Sequence, residues 1–284
     1  MGREVVLAGV SVASVCRKLS MSRQNYYARR RQRERKESQQ ELALEWVRKE
    51  RREQPRLGGR KLRYLLKEKI ESAGLRLGRD RFFDLLRGAG MLVARLPREW
   101  VQTTCSRHGE RVYPNLVKAL EEVKEPHHVL VSDLTYIRTN EGFLFLSLVT
   151  DKGSRKIVGH HCADGLQASG CIRALEGALR GLPKEARPIH HSDRGTQYCS
   201  KEYVGRLKER GLPVSMTEKN HCAENALAER MNGILKGEYG LGACFPTRAL
   251  ARASVEEAIR LYNERRPHTS LDYRTPHEAH SLVA

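Results

Sequence analysis

Apolar positions along this 284-residue chain change their spacing once, near residue 127, and the change divides the sequence into a helical front and a mixed back. Residues 11–34 predict two short helices around a turn, the first ending at about Leu19 and the second capped by Ser20 or Ser22. Residues 29–37 are almost all charged and read as a solvated helix or linker. A second helical unit follows over 39–93. Leu42, Leu44, Trp46 and Val47 open one helix, and Gln54-Pro55-Arg56-Leu57-Gly58-Gly59 breaks it. Leu62, Leu65, Leu66 and Ile70 then fall at helical spacing, and a third helix starts at Asp80. Residues 94–126, with Pro97, Pro114 and Pro126, read as a linker. Beyond it Val129–Arg138, Phe143–Thr150 and Lys156–Ala163 are apolar and β-branched, as strands are. Residues 168–181 predict a helix, Arg187–His191 a strand, 200–211 a helix, Leu212–Met216 a strand, and 223–239 and Ala249–Asn263 two helices. Three hairpin-linked strands followed by alternating units predict a mixed α/β sheet with helices on its faces.

Charge sharpens this division. The net charge is +18, and residues 1–100 hold 26 Lys+Arg against 12 Asp+Glu, whereas residues 101–284 hold 26 against 22. A basic front on a nearly neutral back is the pattern of a polyanion-binding module joined to a second function, with nucleic acid as the expected polyanion. A helix, a turn and a basic helix are what DNA reading in the major groove requires. Hydrophobic content of 39% excludes a wholly disordered chain. Seven cysteines, no two of them spaced Cys-x-x-Cys, argue against a secreted disulfide framework and for reduced thiols inside the cell. No apolar run approaches the roughly 20 residues of a membrane span. Val5–Cys16 imitates a signal core, but the basic stretch after it marks the buried face of a helix instead.

Three carboxylates stand out. Asp133 lies mid-strand in VLVSDLTYIRT, sharing a face with Val131, Thr135 and Ile137, where a carboxylate is costly without a partner such as a metal. Asp193 lies where a strand gives way to the turn Ser192-Asp193-Arg194-Gly195, and catalytic groups gather at the carboxyl ends of strands in such sheets. Glu229 heads a polar helical stripe with Asn225, Asn232 and Lys236. Glu224 is a rival, five residues away and pointing elsewhere. Each has an ordinary alternative, namely a strand-end acceptor, a turn and a solvated helix face. Together they supply the hard oxygen ligands that Mg²⁺ takes, and two such ions can clamp an in-line displacement at phosphorus. The pairs His160-His161-Cys162, His190-His191 and His221-Cys222 do not predict structural zinc, because neighbours on a strand face opposite ways and no finger spacing occurs.

The segments SDLTYIRT, HSDRGTQYCS and CAENALAERMNGILKGEY resemble the catalytic core of bacterial insertion-sequence transposases of the IS-three family, OrfB type, relatives of retroviral integrases. In that family Asp, Asp and Glu form a DDE triad with 35 residues between the last two. That spacing separates Asp193 from Glu229 here and selects it over Glu224 and Glu238. LVTDKGSRKIVGHH and the tail YNERRPHTSLDYRTP continue the likeness, and PRLGGRKLRYLL, GLRLGRDRFFDLLRGAGMLV and SMSRQNYYARRRQR extend it upstream over nearly the whole chain. Two departures are Leu130, where the family has Trp, and Glu224-Asn225-Ala226, where it has Asp-Asn-Ala.

The resemblance implies a ribonuclease-H-like mixed sheet with flanking helices, preceded by a small all-α, helix-turn-helix-like DNA-binding region. The expected divisions are 1–38 (basic helix-turn-helix-like region), 39–95 (small helical DNA-binding domain), 96–125 (linker), 126–240 (catalytic core) and 241–284 (C-terminal helix and tail). It implies two Mg²⁺ ions, replaceable by Mn²⁺, on Asp133, Asp193 and Glu229, serving DNA end cleavage and strand transfer. Arg60, Lys61, Arg79, Arg81, Arg194, Gln197, Asn225, Arg230 and Lys236 are the expected DNA contacts. The expected partners are element-end and target DNA, a second copy of the chain on that DNA, and an upstream OrfA protein or fusion. The expected place is the bacterial cytoplasm, at the nucleoid. A DNA-binding regulator with a silent core and a nuclease without a joining step are the competing functions.

Overall fold

The computed structural model describes residues 11–94, 109–120, 123–218 and 225–282, so Glu224, His221, Cys222 and half of the expected linker lie outside the described residues. The chain divides into two compact units, one of residues 1–50 and 62–92, the other of residues 51–61 and 93–284.

The first unit is helical. α1 (Val12–Lys18) is capped by the Ser11 side chain, and Ser22 Oγ accepts Asn25 N–H at the start of α2 (Arg23–Glu53). Ser20 instead sits in the turn with φ 49°. α2 runs unbroken through residue 38, where a boundary was expected. The stretch from 23 to 53 contains neither Gly nor Pro, and the i,i+4 pairs Arg30–Glu34 and Arg33–Glu37 support its most charged part. Pro55 follows its end. α3 (Gly59–Leu65), α4 (Lys67–Ser72) and α5 (Arg79–Gly88) follow, and Ala43, Val47, Leu62, Leu66, Ile70, Phe82 and Leu86 are buried.

The second unit is built on one six-stranded sheet. β1 (Val129–Thr139), β2 (Gly142–Asp151) and β3 (Ile157–Ala163) form the expected antiparallel meander. α6 (Ala168–Arg180) crosses to β4 (Ile189–Ser192), parallel to β1. α7 (Thr196–Cys199) and α8 (Lys201–Glu209) lead to β5 (Val214–Met216), parallel to β4. The strand order is β3-β2-β1-β4-β5, the ribonuclease-H-like arrangement, and a short β6 (Cys244–Phe245) pairs with the far end of β1. α9 (Ala226–Glu238), α10 (Arg248–Arg265) and α11 (Pro276–Ser281) complete the unit.

Alternation on β1 sends residues to two cores. Leu130 packs with Ala174 and Ala178 of α6, and Leu134 against the cluster of α6 and α8. Ile137 joins Met231, Ile234, Val255 and Tyr262 from α9 and α10. α10, beyond the expected division at 241, shares this hydrophobic core with β2. Close approach of α6 to β3 depends on Gly159, where a Cβ would collide with the Ala174 carbonyl oxygen and stand 2.7 Å from Ala178 N. Gly159→Ala is expected to destabilise the protein by about 1–3 kcal/mol through overpacking, read as a lowered urea midpoint with unchanged slope.

Candidate active site

The sheet brings the first two carboxylates together by register. The last paired positions of β1 and β4 are Val131 and His191; Asp133 stands two residues further along β1, and Asp193 two residues beyond His191, in the turn just after β4. Parallel neighbours lie about 4.8 Å apart with matched pleat, so both carboxylates leave the same face. α9 supplies the third. Ala228 packs against Val129 and Val131, and Asn225 Nδ2 donates to the Ser132 carbonyl at 3.2 Å, fixing the head of the helix over β1. Glu229 follows in the first turn, exposed.

Asp133 carries the electrostatic signature of this grouping. Its carboxyl is pushed up to about 7, first by burial, then by the charge of Asp193 and of Glu229. The Leu134 N–H, at 3.0 Å from Oδ1, and Asn232 Nδ2, at 2.7 Å from Oδ2, work in the opposite direction. Asp193 Oδ1 accepts the Gly195 N–H at 2.9 Å. A Cβ on Gly195 would lie 3.0 Å from that oxygen, so the turn is best served by glycine. Asn232 Oδ1 is buried without a hydrogen-bond partner, the kind of orphaned acceptor that explains itself beside a cation. Three mutually repelling carboxylates with an unused amide oxygen are a hard, all-oxygen donor set, and such a set fits Mg²⁺.

The residues expected to touch DNA divide into two groups. Arg60, Arg79, Arg81 and Arg230 are exposed, with Arg79 also paired to Asp80 at 2.8 Å. Lys236 is half-buried with Nζ 4.2 Å from the centre of the Tyr136 ring. The others have structural engagements. Asn225, an expected DNA contact, is 5% exposed and clips α9 to β1. Arg194 Nε donates to the Thr217 carbonyl at 2.6 Å, and Gln197 Nε2 to the Leu166 carbonyl at 3.0 Å, so both brace the turn that carries Asp193. Lys61 lies 3.6 Å from Glu238, and burial, more than any neighbour, lowers its ammonium to about 8.

Two features escaped sequence reading. Asn232 was visible only as part of a polar stripe, and its bond to Asp133 could not be told from solvation. His190 and His191 take different partners. His190 Nε2 meets Ser132 Oγ at 2.8 Å and Tyr203 OH at 2.9 Å, whereas His191 Nδ1 meets Ser215 Oγ at 2.8 Å. Burial pushes His190 down to about 3, so it is neutral and structural, holding β1 to β4 just before the two aspartates.

Residues 123–222 and again 210–276 match the integrase core domain family. Over 265 residues the chain is 34% identical to the insertion element IS600 uncharacterized 31 kDa protein of Shigella sonnei, covering 92% of this chain and 96% of that one. It is likewise 34% identical over 210 residues to the transposase InsF for insertion sequence IS3A of Escherichia coli (strain K12), covering 68% of this chain and 73% of the other. The chain belongs to the IS-three family of insertion-sequence transposases. Among solved structures it is similar to the HTLV-2 integrase catalytic core domain in complex with magnesium, with 20% identity and a TM-score of 0.44 over 56% of this chain and 99% of that one. The two integrase-core matches contain Asp133, Asp193 and Glu229 between them. The transposase is thus an enzyme with an integrase core domain.

Proposed function

We propose that Asp133, Asp193 and Glu229 are the catalytic carboxylates and hold two Mg²⁺ ions, with Mn²⁺ able to substitute, and that the transposase cuts the ends of its element and joins them to target DNA. The observation that carries this reading is the carboxyl of Asp133, raised first by burial and then by the charges of Asp193 and Glu229, and hydrogen-bonded by Asn232. When bound, the ions would neutralise charge at the reacting phosphate and acidify the attacking hydroxyl.

The chain's own residues position the substrates. Asp133 and Asp193 present their oxygens from adjacent strands, and Glu229 does so from α9. In the first step a water oxygen bonds to phosphorus at the element end, the bridging 3′-oxygen leaves, and the proton passes to solvent as a 3′-OH is freed. In the second, that 3′-OH bonds to a target phosphorus, the target's own 3′-oxygen departs and takes up a proton. No bond to the protein forms, so catalysis rests on orientation and charge compensation. The exposed Arg60, Arg79, Arg81 and Arg230, with Lys236, serve as phosphate contacts that give affinity and salt dependence without sequence choice. Joining two ends requires at least two copies on DNA, and an OrfA partner supplies further end recognition. No helix among the described residues is long and apolar enough to cross a membrane, which accords with action at the nucleoid in the cytoplasm.

The test is strand transfer. Intact protein, with OrfA supplied, is incubated with a labelled duplex carrying the element end, a target plasmid and Mg²⁺, beside Glu229→Gln. Joined product that disappears in the variant is expected. Cutting without joining would make the protein a nuclease, and binding with neither reaction would leave a DNA-binding regulator.

A further inference from the structure

We propose that His127, Asp151 and His280 form a second metal site, separate from the three acids, that takes a borderline transition ion such as Zn²⁺ and pins the C-terminal helix to the end of the sheet. One ligand atom from each of the three lies within 4.8 Å of the others. Asp151 ends β2 opposite Leu130 of β1 and is fully buried, whereas both histidines are half-buried and leave an approach from solvent. His280 belongs to α11 and His127 precedes β1, so three separate parts of the unit converge.

The surroundings are already those of an oriented ligand set. Asp151 Oδ2 accepts the His127 N–H at 2.7 Å, and Oδ1 accepts both the N–H and the Oγ of Ser154 at 2.8 Å. Ser154 Oγ also meets His280 Nδ1 at 2.9 Å, so one hydroxyl ties the carboxylate to the second imidazole. Metal-binding carboxylates and imidazoles are held by outer partners of this type. His127 adopts φ 63°, a left-handed backbone that a non-glycine residue occupies at a cost, and this conformation brings its ring to 4.6 Å from that of His280. The two rings stand at 72° rather than stacked.

Two imidazoles and one carboxylate suit Zn²⁺ and its neighbours rather than Mg²⁺. Ligand atoms around a tetrahedral zinc stand roughly 3.4 Å apart, since each lies about 2.0–2.2 Å from the ion. Rotation of the two rings closes the remaining gap, and a water takes the fourth position. Lys156, near enough to feel both Asp151 and His280, weakens the attraction without removing a ligand. The inference does not depend on the strand-transfer reading, because none of the three residues belongs to the proposed catalytic set.

The test uses the full chain carrying Asp133→Asn and Glu229→Gln, so that the acidic centre no longer competes, stripped with chelator and titrated with Co²⁺ and Zn²⁺. One equivalent of Co²⁺ with visible bands of low-symmetry coordination, displaced by Zn²⁺, is expected. His280→Ala is expected to weaken Zn²⁺ binding more than tenfold, and His280→Cys, which restores a ligand, to recover it. His127→Ala, at the other side of the site, should reproduce the loss. Zinc should also raise the melting temperature of the parent and leave that of His280→Ala unchanged. No binding at micromolar zinc, or binding that survives both alanine changes, would overturn the proposal.

Discussion

Asp133→Asn is expected to lower strand transfer by about a thousandfold or more while making the metal-free protein more stable near neutral pH. The two effects share one cause. Burial, and after it the charges of Asp193 and Glu229, lets Asp133 hold its proton to about 7. A folded-state value above the unfolded one means that the native protein binds more protons between about pH 4 and pH 7. Its stability therefore falls as pH rises through that window, by an amount on the order of a few kcal/mol. Mg²⁺ bound at the proposed site would supply the compensating charge and should reverse the loss. Thermal melts at pH 5 and pH 8, with chelator or with Mg²⁺, check the sign: a large magnesium-induced rise at pH 8, a small one at pH 5, and little of either in Asp133→Asn. A magnesium effect equal at both pH values would break the link between the raised carboxyl and the metal.

The second large effect is expected far from the carboxylates. Arg266 is 1% exposed, and its guanidinium grips Glu238 through Nε at 2.8 Å and Nη2 at 2.7 Å, while Nη1 meets His268 Nε2 at 2.8 Å. Burial opposes the charge of Glu238, yet the bonds from Arg266 prevail and hold its carboxyl below the usual range. That contribution is present above the unfolded value and is lost as pH falls through the lowered one. Arg266→Ala leaves Glu238 with Lys61 alone, so about 3–5 kcal/mol should be lost, roughly 10 °C in melting temperature. Arg266→Lys should recover only part, because an ammonium cannot make the forked contact. A melting temperature unchanged in Arg266→Ala would show that the pair adds nothing.

Different parts of this protein were legible to different degrees. β1 and β2 were readable because their runs of β-branched and apolar residues are largely buried on both faces and leave little ambiguity. α2 was less so, since a charged stretch between two apolar ones looks like a linker until its i,i+4 pairs are seen to favour helix. The positions of Asp133 and Asp193 could be proposed from spacing and resemblance, but their common register exists only once β1 and β4 pair in parallel. Lys61 and Asn225 looked like DNA contacts because basic and polar residues do on a one-dimensional string. The string does not show that burial also gives them Glu238 and the β1 backbone as partners. His127, Asp151 and His280 carry no signal along the chain at all, being brought together by the hairpin ends and the final helix.

α9 is guyed at both ends. Asn225 ties its head to β1, and Arg266 holds Glu238 in its last turn. Glu229 is the one proposed catalytic acid not carried on the sheet or its immediate turn, so its aim depends on that tension. The reading frame of such an element therefore has a hidden essential stretch. A copy truncated just before codon 266 would still encode every acid of the proposed centre. It would nonetheless make a protein whose third carboxylate had lost its anchor, and the element would stay where it was.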